Sequence, residues 1–355
     1  MQLTSPRLSP GMRRMLTSPT SLVVLVLLAW LSWLYFAPAL SWLVFNADFV
    51  GQTAADCTSG GACWVFIKVH LNRFTFGNYP LAEQWRVLVG FGLPVLAAIV
   101  VYLWKTMPRR QLFGSVLIVL GPFFTLAALH GGFFGLRFVA ANQWGGLLVT
   151  LVVGGLGILL SLPIGVLLAL GRRSNMPLIR ILSTIYIEVW RGVPLLGVLF
   201  MATLLLPLML PAGSTVPLFY AVMAGIILYA AAYLAEVIRG GLLSIGRLQF
   251  EAADALGFGY WNKMRTIILP QALSNVLPAM VGIFIALFKS STIVLVVGVF
   301  DLLGIVQNAA QNPDWAGFFT EGYLFVGLVF WVICYSVSMF GQSHERGRNR
   351  RNHDV

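Results

Sequence analysis

The stretch Glu251-Ala252-Ala253-Asp254-Ala255-Leu256-Gly257, followed after nine residues by Ile267-Ile268-Leu269-Pro270, lies between two strongly apolar segments of the chain. It reads as a short helix, a glycine break and the start of a second helix. Hydrocarbon cannot hold a polar loop of this kind, because each unpaired backbone group there costs several kcal/mol, so the loop stands in water beside a bilayer. Its make-up suits docking: a short helix fits a groove on a partner, Ala252 and Ala253 let backbones approach, and Gly257 turns the chain afterwards. Glu251 and Asp254 read as acids in the early turns, where the helix dipole favours negative charge. The plainer reading is an ordinary amphipathic loop.

On both sides of this loop the chain is apolar in long blocks. Of its 355 residues, 59% are hydrophobic and 10% charged, which excludes a soluble domain and implies an all-helical polytopic membrane protein. Eight runs are long enough to cross: 21–45, 87–104, 112–128, 145–170, 194–210, 218–237, 277–288 with its flanks, and 322–340. The run 293–300 is too short to span and reads as a re-entrant segment buried against protein; one more crossing would put the arginine-rich tail on the wrong side.

The basic residues set the orientation. Arg7, Arg13, Arg14, Lys105, Arg109, Arg110, Arg172, Arg173, Arg180, Arg239, Arg247, Lys263, Arg265, Arg346, Arg348, Arg350 and Arg351 fall in alternate loops and both tails, while the opposite loops hold only Lys68, Arg73, Arg86 and Arg137. By the positive-inside rule both termini and the Glu251 loop face the cytoplasm. The net charge of +11 is spread over these juxtamembrane positions, which argues against a nucleic-acid partner and for anchoring in a lipid bilayer. The first apolar run is too long for a signal peptide and is expected to stay as a membrane helix.

The chain divides near residue 143. The expected parts are a cytoplasmic tail (1–20), a three-helix extension (21–142) with a watery external loop at 46–86, a five-helix core (143–341) with a cytoplasmic loop at 239–273, and a basic cytoplasmic tail (342–355). In the external loop Cys57 and Cys63 stand six positions apart, where disulfides persist; a loop clamp and two free thiols both fit the spacing. His70, His130, His344 and His353 have no ligand spacing, so no metal site is expected.

Ionisable groups near membrane depth are candidates for transport, since they line cavities or pair with one another. Glu188 and Arg191 lie three apart on one helix, able to pair, just before Gly192-Val193-Pro194, where a helix should bend. They read either as a cytoplasmic-side gate or contact to a sister subunit, or as an interfacial salt bridge. Glu236 and Arg239 repeat the spacing at the end of a span, with the structural pair as the alternative to a gate. Lys289-Ser290-Ser291-Thr292 offers an ammonium and hydroxyls to a polar solute and is the best candidate for a substrate path, the alternative being a lysine that snorkels to the outer headgroups. The tetrad is no phosphate loop, for Phe288 stands where glycine is needed.

The spacing E-A-A-x-x-x-G, then nine residues, then I-x-L-P, resembles the coupling loop of ABC importer permeases. Three further stretches carry the resemblance: Tyr186 to Leu196 (YIEVWRGVPLL), Ala232 to Gly241 (AYLAEVIRGG) and Leu287 to Thr292 (LFKSST). Together they make residues 145–341 similar to the five-helix core of the polar amino acid family. The added spans, with Gly61-Ala62-Cys63-Trp64, Tyr79-Pro80 and Trp85-Arg86, resemble the general L-amino acid permeases of Gram-negative bacteria.

That resemblance implies an inner-membrane permease subunit, itself not an enzyme, for polar or general L-amino acids. Glu251, Ala252, Ala253, Gly257, Leu269 and Pro270 would couple it to a cytoplasmic ATPase dimer that holds the ATP and Mg, this chain binding no cofactor. A second related permease and a periplasmic amino-acid-binding protein would complete the assembly. Two rivals are a secondary transporter driven by an ion gradient, which should show internal repeats, and a membrane enzyme, which needs a nucleophile and base or a metal at depth.

Overall fold

The computed structural model describes residues 19–104, 110–133, 135–211 and 216–353, and every regular element among them is helical. Residues 1–18 of the expected first tail, with Arg7, Arg13 and Arg14, and Lys105 and Arg109 of the first basic loop lie outside the described residues. In chain order the helices are α1 (Pro19–Leu40), α2 (Val65–Phe76), α3 (Gln84–Leu103), α4 (Arg110–His130), α5 (Gly146–Arg172), α6 (Pro177–Gly192), α7 (Leu195–Met209), α8 (Leu218–Leu243), α9 (Arg247–Ala255), α10 (Leu269–Ser290), α11 (Leu302–Ala310) and α12 (Phe319–His353). Among the described residues seven stretches are long and apolar enough to cross a bilayer, and eight if the bent pair α6 and α7 counts as one. This agrees with the spans read from hydropathy.

Parallel packing of α5 against α8 forms the centre of the core. Glycine makes it close: a methyl group on Gly165 would sit 3.0 Å from Leu234 Cβ and 3.2 Å from the Ala231 carbonyl oxygen. The helix α10 packs on α8, where Val276 meets Gly241, and on α5, where Phe288 meets Gly154, and in turn against α12. The first span stands apart, with no buried residue along α1. The turn that follows it is tied down, where the indole of Trp64 donates to the Leu43 carbonyl at 2.9 Å and Ala62 N–H to Trp42 O at 2.8 Å.

The segment 46–86, expected as a watery external loop, is folded. Cys57 and Cys63 are joined, with their Cα atoms 5.7 Å apart. Asp56 gathers the N–H groups of Gln52 and Thr53 at 2.8 and 2.9 Å, which holds its carboxyl below the usual range. Then α2 buries Phe66 and Phe74 against Trp315, Phe318 and Phe325, beside Leu302 and Val306 of α11. The reason is the spacing of its apolar residues, which puts Phe66, His70 and Phe74 on one helical face. Two polar contacts close the layer: Cys63 N–H donates to the buried carboxylate of Glu321 at 3.0 Å, and Arg73 donates to Asn308 Oδ1 at 2.9 Å.

Arg86 pins the extension from within. Its side chain is 1% exposed and donates to the carbonyls of Ala128 (2.9 Å) and Arg137 (2.7 Å) and to Glu83 (3.1 Å). Through the Arg137 carbonyl the segment 131–145 between α4 and α5 is tied to this guanidinium. Helix continues past two of the predicted boundaries, α8 to Leu243 within the 239–273 stretch and α12 through His353.

Asp301 closes the re-entrant stretch after Ser291–Val297, which the sequence placed against protein. The segment comes back to α5 through Gly146 N–H to Phe300 O (3.1 Å) and Leu302 N–H to Thr150 Oγ1 (3.0 Å). Asp301 caps α11 by accepting from Gly304 N–H at 2.9 Å, while its second oxygen is buried with no partner among the described residues. Burial pushes this carboxyl up to about 6. The folded chain therefore keeps a proton here between about pH 4 and 6 that the unfolded chain has released, so stability falls as pH rises through that window and levels off above it. Asp301→Asn should remove this penalty: thermal unfolding in detergent should show the variant gaining on the parent from pH 4 to 6, by on the order of 3 kcal/mol.

Candidate functional site

The peg read from the sequence is α9. Gly246 starts it and Gly257 ends it, with φ +76, Gly257 N–H on Asp254 O (2.9 Å) and Phe258 N–H on Ala253 O (3.1 Å). That is the left-handed stop for which glycine is suited. The acids, however, are not in the early turns. The helix begins at Arg247, so Glu251 sits mid-helix and pairs with Arg247 at 2.8 Å, and Asp254 falls in the last turn, where the ammonium of Lys263 offsets the unfavourable dipole. Ala253 is also not on the outer face. It is 2% exposed and packs inward, leaving Ala252, Leu248, Leu256 and Trp261 to face away from the chain.

Leu269 and Pro270 serve the return into the membrane, partly buried beside the fully buried Ile268. Pro270 has no N–H to give back to the preceding turn, and the chain widens into a π turn over Met264–Ile268 just before it.

At the same end of the bundle five charged side chains meet. The helix breaks after Gly192, as Gly192-Val193-Pro194 suggested, and α6 and α7 diverge by 108°. This lays α6 across the ends of α5 and α8, with Ser183 against Gly171 and Arg191 near Glu236. The expected pairing of Glu188 with Arg191 gives way to longer-range ones for that reason. Arg172 bonds Glu188 at 2.7 Å and Glu236 at 3.0 Å, Arg239 grips both oxygens of Glu236 at 3.0 and 2.5 Å, and Arg191 stands 3.9 Å from Glu236 with its guanidinium over the Tyr233 ring. Glu236 is the hub, and three arginines face two glutamates.

Arg172 and its neighbour Arg173 were legible only as orientation charges. Arg173 donates to Leu242 O at 2.7 Å and lies over the ring of Phe250, so it ties the end of α5 to the peg helix. Nothing in the local sequence marks these partners, which are 69 and 77 residues away.

Lys289-Ser290-Ser291-Thr292 ends α10. Phe288 touches Phe330 with ring centroids 5.3 Å apart, and Gly341 meets Val281, so Lys289 is level with the middle of the last span. It is exposed there. The face of α10 that carries it continues through Ala286, Gly282, Pro278, Asn275 and Gln271, all exposed and all small or polar. Among the described residues no large apolar side chain is exposed between Trp261 and Val296, whereas α1, α3, α4 and α12 expose many. The three hydroxyls spend their protons on the carbonyls of Ala286, Phe288 and Lys289 and keep lone pairs that could accept from an ammonium. Ser291 is buried and, with Ser290, Leu195 and Ile226, lines a cavity of only about 10 Å³ at the α6–α7 break, away from the Lys289 face.

Residues 161–350 match the family of the binding-protein-dependent transport system inner membrane component. The chain is 45% identical to the inner membrane amino-acid ABC transporter permease protein YhdY of Escherichia coli K12, covering 90% of this chain and 87% of that one. It is 37% identical to the glutamate/glutamine/aspartate/asparagine transport system permease protein BztC of Rhodobacter capsulatus, covering 94% and 91%. Among solved structures, an amino acid ABC transporter crystallised with histidines superposes with a TM-score of 0.50 at 32% identity, over 57% of this chain and 91% of that chain.

Removing the hub charge tests the cluster. Glu236→Gln keeps the shape and leaves Glu188 as the one carboxylate among three arginines, so thermal unfolding should show a loss on the order of 2 kcal/mol, against less than about 1 kcal/mol for the more exposed Glu188→Gln. Equal losses would mean that Glu236 is not the hub.

Proposed function

Because the chain belongs to the family of binding-protein-dependent transport system inner membrane components, as a multi-pass permease subunit of an ABC transporter, we propose that it forms half of a path for polar or general L-amino acids. The names of its relatives support the substrate class. The exposed face of α10 carries the reading. A lysine held in lipid at mid-depth costs about 2.5 to 3.5 kcal/mol, and a face of amide, hydroxyl and glycine gains nothing from acyl chains. That face borders a water-filled path shared with a second, related permease, with Lys289 and the hydroxyl lone pairs of Ser290 and Thr292 offered to an amino acid's carboxylate and ammonium.

In this reading the Glu251 end is cytoplasmic, with both termini on that side, as the distribution of arginine and lysine supports. A separate ATPase dimer binds the ATP and Mg and receives α9 through Leu248, Ala252 and Leu256. Its closure moves the peg, Arg173 and Arg239 pass the movement to α5 and α8, and the Glu236 cluster opens or closes the inner end of the path. A periplasmic binding protein delivers solute to the disulfide-bearing end. A carrier driven by an ion gradient is not favoured, since the relatives are permease subunits of ABC transporters.

Gly257→Pro cannot adopt φ +76 and loses the N–H that stops α9, and Glu251→Lys sets two cations four residues apart. Both should drop ATP-driven uptake to near background with normal amounts of protein in the membrane; full uptake at equal abundance refutes the coupling role. Lys289→Ala should lower uptake by about tenfold while ATP hydrolysis stays dependent on solute. Hydrolysis that runs without solute would place Lys289 in the gate and not in the path.

A further inference from the structure

The helix α6 presents a second kind of face. Ser183 and Ile187 are its buried positions, packed against the ends of α5 and α8. On the opposite side Leu178, Ile181, Leu182, Ile185 and Val189 recur at helical spacing, and each is between 53% and 67% exposed.

Three observations say what covers this stripe. First, α6 lies across its neighbours, so the stripe forms a band near one level, beside the last turns of α5 and α8. Second, its side chains are of the same class as those of α1, a span along which no residue is buried, and of the opposite class to the polar face of α10. Third, the band continues into the exposed face of α7 through Leu196, Phe200 and Leu204, giving one aliphatic surface around the 108° corner.

We propose that the α6 stripe is a lipid-seated rail: a transverse helix embedded among the acyl chains of the cytoplasmic leaflet just below the headgroups, with phospholipid as its partner. An amphipathic helix of 16 residues, about 24 Å long, binds a leaflet boundary in this way. The seat has a consequence for the charge cluster, because the helix that carries Glu188 and Arg191 towards Arg172 and Glu236 is held from behind by the bilayer. Lipid packing thereby sets how firmly the five charges close.

The test uses the membrane complex isolated through a tag on this chain and returned to phosphatidylcholine and phosphatidylglycerol vesicles. With Cys334→Ala as background, Leu182→Cys, Ile185→Cys and, as a lipid-facing yardstick on α1, Leu31→Cys are each labelled with an environment-sensitive fluorophore. Phosphatidylcholine carrying a nitroxide at acyl carbon 5 should quench both α6 positions to within about twofold of Leu31→Cys, and more strongly than a nitroxide at carbon 12. Protection from both nitroxides, dominant quenching by aqueous iodide, or an oxidative cross-link from Ile185→Cys to another subunit would overturn the proposal. Stronger quenching from carbon 12 would also overturn it, by placing the helix deep in the leaflet. The readout requires no transport, so its failure would leave the proposed function standing.

Discussion

A charged group cannot rest in hydrocarbon without a partner or water, and the placement of nearly every polar side chain here answers to that constraint. Arg86 is enclosed by two carbonyls and a carboxylate. Arg172, Arg191, Arg239, Glu188 and Glu236 satisfy one another where three helices meet. Lys289 alone among these stands exposed at mid-span, and the helix that carries it has shed large apolar residues from the same face. The bilayer thus sorts the surface into a lipid-facing part and a part that lipid cannot cover.

The fold also separates stiff regions from places where the backbone can yield. Glycine at positions 157 and 165 brings α5 against α8 until side chains and backbone touch, which favours movement of the pair as one body. The break between Gly192 and Leu195 and the π turns at Val152–Leu156 and Met264–Ile268 interrupt the regular ladder instead. The peg joins α10 through one of these turns and α5 through Arg173, so it touches both a stiff unit and a yielding one.

Much of this was legible in the chain itself, because hydropathy, glycine and proline act locally. The spans, the break at Pro194 and the helix stop at Gly257 each follow from a few consecutive residues. What escaped was set by distance. Arg172 finds Glu236 only after 64 residues, and the partner of Cys63 is 258 residues away. The helix Val65–Phe76 was hidden by its mixed composition, with Lys68, His70, Asn72 and Arg73 among its phenylalanines. Ala253 shows a subtler limit: small size made it look suited to a partner's surface, yet the same small size let its own chain pack on it.

The bond from the Cys63 amide to Glu321 sets an order of events during synthesis. Cys57 and Cys63 lie only six positions apart and can be joined early, but the carboxylate that secures their loop belongs to α12, 258 residues further along the chain from Cys63. Until that helix enters, Phe66 and Phe74 have no Trp315 or Phe325 to cover them. The nascent chain thus carries uncovered aromatics until that later segment arrives, a period in which a chaperone would have something to hold.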